Sequence, residues 1–215
     1  MLGIRFGDYH TYEDLNLILT DIEEIPPGAK LYEVDIDGRN GKLDLTEALG
    51  DLKYENRQGE YQFAIKNSSS NAAYTLDILH NYINGQKLKI IRDWDADYYF
   101  YGRLLVQDIG ELFEPLGLTA IEYDADPYKY KLSETAVELT LTAETAVTLS
   151  NEQMPAIPTI VTDGEITITY GDSTLVLSEG EWIATDLTLS AGETEWTITP
   201  TDSATVTITY QEGRL

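Results

Sequence analysis

The sequence predicts a mainly β protein in two parts. Residues 1–131 form an α+β N-terminal domain, an antiparallel sheet with one helix, and residues 132–215 form a β-sandwich of jelly-roll type. Three observations predict this. Past residue 131 apolar and polar residues alternate in short threonine-rich runs, "ELTLTAETAVTLS", "EITITYGDSTLVLS" and "TVTITYQEG"; a period of two with β-branched residues makes half-buried antiparallel strands. Composition changes at the same place: residues 1–131 hold 13 basic and 24 acidic residues, whereas residues 132–215 hold one basic residue, Arg214, and 14 acidic ones. In "NAAYTLDILHNYING" the apolar period lengthens to that of a helix.

Along the first part, "KLYEVDI" puts Tyr32, Val34 and Ile36 on one side and predicts a strand. "GEYQFAIK" aligns Tyr61, Phe63 and Ile65 as another. Ala72, Leu76, Leu79 and Ile83 form the helical stripe, with Ser68, Ser69, Ser70 and Asn71 offering N-caps and Asn84-Gly85 a left-handed stop. "QKLKIIRD" and "YYFYGRLLVQDI" are strands around an acidic turn, "DWDAD". In the second part Ile166, Ile168 and Tyr170 oppose Thr167 and Thr169, and Val206, Ile208 and Tyr210 repeat the arrangement. With Asp-Gly, Gly-Asp and Ala-Gly turns, roughly eight to ten short strands fit, as a sandwich needs.

The charge limits the partners. Of 215 residues 14 are basic and 38 acidic, a net −24, and no run of Lys and Arg offers nucleic acid or an anionic membrane a basic patch. Without cysteine there is no disulfide, thiolate nucleophile or cysteine metal site. No apolar run approaches the ~18 residues of a membrane helix, and "MLGIRFGDYH" lacks a signal-peptide core, so folding in a cytoplasm without membrane insertion is expected.

"EVDIDGRNGKLD" spaces its acids almost as an EF-hand loop does. However, Glu33 stands where a short Asp is needed, Asp44 where a bidentate Glu is usual, and Asn40 at an apolar position. "IPPGAKLY" puts two prolines where a helix should enter, so a strand and a "DGRNG" hairpin turn are expected instead of a metal loop. Asp93, Asp95 and Asp97 could hold a cation, but a solvated turn is the expected reading, because hairpin tips favour Asp. Their neighbours Trp94, Tyr98, Tyr99 and Tyr101 suit either a core or an interface. Only His10 and His80 are histidines, and no nucleophile elbow, phosphate loop or His-x-x-x-His pair occurs. No catalytic, cofactor-binding or metal residue is therefore assigned, and no enzyme or cofactor is expected. In the second part Trp182 and Trp196 could stack on a sugar. That part has no histidine and its one arginine lies beside the terminus, so both tryptophans are expected in the core.

Three blocks in order, "GDYHTYEDLNLILT", "VDIDGRNGKLDLTEALG" followed by "YENR", and "GQKLKIIRDWDADYYFYGRL" with "YDADPYKY", resemble distal tail (Dit-like) proteins of long, non-contractile-tailed phages across residues 3–131. The resemblance implies an N-terminal domain that closes into a homohexameric ring and a galectin-like C-terminal sandwich. It implies a structural virion protein of a phage or prophage, a baseplate hub at the tail tip assembled in the bacterial host cytoplasm. Its partners would be itself, the tail tube protein, and tail-tip or receptor-binding proteins. DNA would pass through the ring without specific binding, and a negative lumen would not hold phosphate. The alternative is a carbohydrate-binding tail or baseplate module that contacts host-surface sugars.

Overall fold

The computed structural model describes residues 1–48, 50–66, 69–110 and 116–215. The chain divides into two compact units, Met1–Pro127 and Tyr128–Leu215, and each has its own apolar core.

The first unit opens with a hairpin, β1 (Ile4–Phe6) and β2 (Tyr9–His10), followed by β3 (Leu17–Ile25). A small pair, β4 (Glu33–Val34) and β5 (Leu43–Asp44), precedes β6 (Arg57–Lys66). Helix α1 (Ser69–Ile78) runs into a π-helical turn at Leu79–Ile83, and β7 (Lys87–Arg92), β8 (Tyr98–Gly110) and β9 (Leu116–Ala125) complete the unit. Seven strands lie side by side in the order β2-β1-β7-β8-β9-β6-β3, all antiparallel.

Alternation decides which face is core. Tyr61, Phe63 and Ile65 of β6 are buried as the period of two requires, together with Phe100 and Leu104 of β8 and Ile121 of β9. Each such side chain contributes about 1.5–3 kcal/mol relative to exposure. Ile78, Leu79 and Ile83 join the same core. The helical stripe is shifted from the expected one: Thr75, Ile78, Leu79 and Ile83 are buried, and Leu76 only partly. The Thr75 hydroxyl donates to the Leu15 carbonyl at 2.9 Å, which fixes this face downward. The Asn84 N–H closes the π turn on the Leu79 carbonyl, and Gly85 then takes φ 75°. The caps expected from Ser68, Ser69, Ser70 and Asn71, and the place of Ala72, lie outside the described residues and side chains.

"KLYEVDI" departs from expectation. Only Glu33–Val34 is paired, against Leu43–Asp44, and Tyr32 and Ile36 are 61% and 44% exposed. From residue 20 to residue 56 no described residue is buried. This arm closes on itself through Lys30 N–H to the Lys53 carbonyl and Glu55 N–H to the Gly28 carbonyl, both 2.8 Å.

In the second unit β10 (Lys129–Lys131) pairs with β19 (Gly213–Arg214). Between them run β11 (Thr135–Leu141), β12 (Thr145–Asn151), β13 (Thr159–Thr162), β14 (Ile166–Tyr170), β15 (Ser173–Leu177), β16 (Gly180–Ile183), β17 (Gly192–Pro200) and β18 (Ala204–Tyr210). One sheet is ordered β11-β18-β13-β16 and the other β12-β17-β14-β15. Eight strands interleaved in this way make a jelly roll. Ile166, Ile168, Trp196, Ile198, Val206 and Ile208 are fully buried between the sheets. The Tyr210 hydroxyl ties β18 to β12 by donating to the Ser150 carbonyl at 2.6 Å.

Candidate functional site

The carboxylates that could suggest metal chemistry hold the backbone in place. Glu33 and Asp44 face each other across β4 and β5; Lys42 donates to Glu33 at 3.0 Å and the Thr46 N–H to Asp44 at 2.9 Å. The Thr46 hydroxyl and N–H together hold the Asp44 carboxyl below its usual range. Gly38 and Gly41 supply positive φ to the intervening turn. "DWDAD" is more than a solvated turn. Asp93 accepts the Gly3 N–H at 2.6 Å and His10 Nε2 at 3.1 Å, and Asp95 binds Arg92 at 2.7 Å. His10, in a polar stretch of sequence, is 5% exposed. Its Nδ1 accepts the Glu13 N–H at 3.1 Å, so the ring proton is on Nε2 and faces Asp93. His80 is exposed. Among the described residues no three His, Asp or Glu side chains converge as a metal site would require.

Beneath the arm's root lies a polar clamp. Arg92, 6% exposed, donates to Glu24 of β3 and to Asp95, and its guanidinium lies 5.1 Å from the Phe100 ring and 5.5 Å from Trp94. Burial lowers the Arg92 pKa, but the hydrogen bonds to Glu24 and Asp95 and the Glu24 charge raise it further, so the cation is held. Tyr61 donates to the same Glu24 oxygen at 3.2 Å and stacks on Tyr123, ring centres 5.1 Å apart. Burial, then the Glu24 charge, pushes the Tyr123 hydroxyl up to about 12. Burial raises Tyr61 more strongly. Both hydroxyls stay neutral at physiological pH, and Tyr61 is the one that donates. The clamp fixes the end of β3, from which the arm departs, by contacts no local sequence signal announces.

The two tryptophans part company. Trp196 of β17 is fully buried, as expected, but Trp182 of β16 is 40% exposed. Trp182 stands opposite Ile160, on the core side of its sheet, but β16 is the edge strand of that sheet. Its indole N–H donates to the Ser178 carbonyl at 2.9 Å. The aromatic group around "DWDAD" sits at the surface: Trp94 is 38% and Tyr101 36% exposed. No helix among the described residues is long and apolar enough to cross a membrane.

These features give a two-unit β protein whose first unit carries an unburied arm. Among solved structures, the Dit (gp 19.1) protein of SPP1 superimposes over 100% of both chains with a TM-score of 0.69 at 13% sequence identity. The chain has the Dit fold. SPP1 Dit is described as a paradigm of the hub adsorption apparatus in phages that infect Gram-positive bacteria. No family model matches the sequence, and no curated protein does.

Proposed function

We propose that this chain is a structural component of a phage or prophage tail tip, a hexameric ring adaptor between the tail tube and the receptor-binding apparatus. The observation that carries the reading is the likeness to SPP1 Dit over the whole of both chains. Two features support it. The arm exposes Leu31, Tyr32 and Ile36 at 67%, 61% and 44%, apolar surface that a neighbouring copy would cover. His10, Asp93 and Asp95, which could have served chemistry, are engaged in structural hydrogen bonds. The first unit would carry the ring contact, the second would face other tail-tip proteins, and the particle would be assembled in the host cytoplasm before release in the virion.

Negative-stain imaging of the full chain, alone and with the tail tube protein of the same phage, tests this. Six-fold rings, free or capping tube ends, are expected; monomers that ignore the tube would reject the proposal. The exposed face of Trp182 favours one second reading, a module that stacks host sugars on that indole. Cell-wall polysaccharide binding at micromolar Kd, lost in Trp182→Ala, would establish it.

A further inference from the structure

The outward face of the first unit's sheet sorts its charges by strand, although the sequence shows no charged run. Pairing sets Glu23 of β3 opposite Glu60 of β6, and Glu60 opposite Glu122 of β9, three carboxylates abreast. Asp124 is the next outward residue of β9. At the other end Lys87 stands opposite Arg103, Lys89 opposite Tyr101, and Arg5 opposite Ile91, which puts four cations on β1, β7 and β8. All alternate with core residues such as Ile90, Leu104 and Ile121 and so point away from the core. Between the two ends lie Leu105 and Leu118, 49% and 58% exposed.

Like charges directly opposite destabilise a sheet, and the one relief among the described residues is the Gln62 side chain, which donates to Glu60 at 2.8 Å. Among the described residues no cation pairs with Glu23, Glu60 or Glu122. Glu23 lies four strands from β7, about 19 Å at ~4.8 Å per strand and beyond the reach of an ion pair, whereas on β9 Asp124 stands opposite Arg103 of the adjoining β8. A cavity of 360 Å³ opens on this acidic end, lined by Glu23, Glu60, Glu122 and Asp124 with Ile25 and Leu105 among them. At the basic end Lys89 Nζ lies 4.4 Å from the Tyr99 ring centre and Lys87 Nζ 5.7 Å from that of Tyr101. Lys87 also meets Asp126 at 3.1 Å, Arg5 meets Glu13 at 3.8 Å, and Arg103 donates to the Gly85 carbonyl at 2.6 Å.

We infer that this polarised face makes the head-to-tail contact between copies of the chain: the Glu23–Glu60–Glu122 row of one copy receives the Arg5, Lys87 and Lys89 end of the next. The inference rests on the ring reading and names its two contact surfaces. A ring needs two different surfaces on each copy, and the β3 end and the β1–β7 end of this sheet differ in charge and in position. Opposite ends attract and like ends repel, so the face orders copies one way round. It also offsets locally the repulsion between chains of net charge −24.

Two reversal variants of the full chain test it, Glu23→Lys with Glu60→Lys, and Arg5→Glu with Lys89→Glu. Each alone is expected to melt like the wild type and to lose the ring. Mixed in equal amounts they are expected to recover it with alternating copies, three of each by native mass spectrometry. Zero-length carbodiimide coupling of mixed ¹⁴N and ¹⁵N wild-type chains is expected to join Lys89 to Glu23 or Glu60 between copies. Rings indifferent to either reversal would overturn the inference and leave the ring reading intact. Recovery only as dimers, or coupling of the acidic row to another tail protein instead, would also overturn it. A wild type that never forms rings, even on tail tubes, would sink both.

Discussion

The jelly roll and the arm alternate alike in sequence and end up in opposite environments. In β14 and β18 the alternate residues Ile166, Ile168, Val206 and Ile208 are 0% exposed, because a second sheet lies against each. In "KLYEVDI" the alternate residues Tyr32, Val34 and Ile36 reach no core: Val34 is half-buried beside Leu43, and Tyr32 and Ile36 remain 61% and 44% exposed. Alternation tells which residues seek an inside. It does not say whether that inside belongs to the same chain. On the proposed ring reading the jelly roll serves stability and the arm association, and mutations should separate the two.

The largest effect should come from the jelly-roll core. Trp196→Ala is expected to cost about 3–5 kcal/mol, the price of a large aromatic cavity, read as a collapse of the melting transition. Next is the clamp at the arm's root: Arg92→Met leaves Glu24 and Asp95 without their cation, at a cost of about 3 kcal/mol. Chemical denaturation checks it, and a loss below about 1 kcal/mol would mean water satisfies both acids.

A smaller effect belongs to Glu212, 6% exposed, which accepts from Lys131 at 2.8 Å and from the Thr135 hydroxyl. Burial raises its pKa, but these bonds lower it further, to a net value below the usual range. The folded pKa is therefore below the unfolded one, so the stabilisation is present above the unfolded value and is lost as pH falls through the folded value. Glu212→Gln is expected to cost about 1–3 kcal/mol at neutral pH. The gap to wild type should close below about pH 4, as pH-dependent denaturation would show. The smallest effect on stability is expected in the arm. The triple variant Leu31→Ser, Tyr32→Ser, Ile36→Ser should stay within about 0.5 kcal/mol of wild type and yet lose assembly in light scattering. A substantial drop in melting temperature would mean the arm packs within its own chain.

How much was legible follows from where the partners lie. The sandwich was readable because its signal is local: each strand carries its own period, and turn residues mark the ends. The strand at Tyr61, Phe63 and Ile65 was readable for the same reason. Trp182 was misplaced because sequence shows the face of a residue and not whether its strand is the last in the sheet. His10 looked like part of a polar segment because Asp93 lies 83 residues away, and the Arg92–Glu24 contact spans 68. The basic end of the outward face was invisible because Arg5, Lys87, Lys89 and Arg103 are brought together by strand register and not by a run. The solvated-turn reading of "DWDAD" misses that Asp93 holds Gly3 and His10, 90 and 83 residues away in sequence.

The central claim is that surface left open in the single chain is covered by another copy. Hydrogen exchange on the full chain, compared between assembled and dissociated samples, tests it most directly. The account predicts that amides of the arm, residues 20–56, exchange fast in the free chain and slow markedly on assembly, while those of β14, β17 and β18 are slow in both. An arm that exchanges equally fast in both samples, with protection confined to the jelly roll, would contradict it.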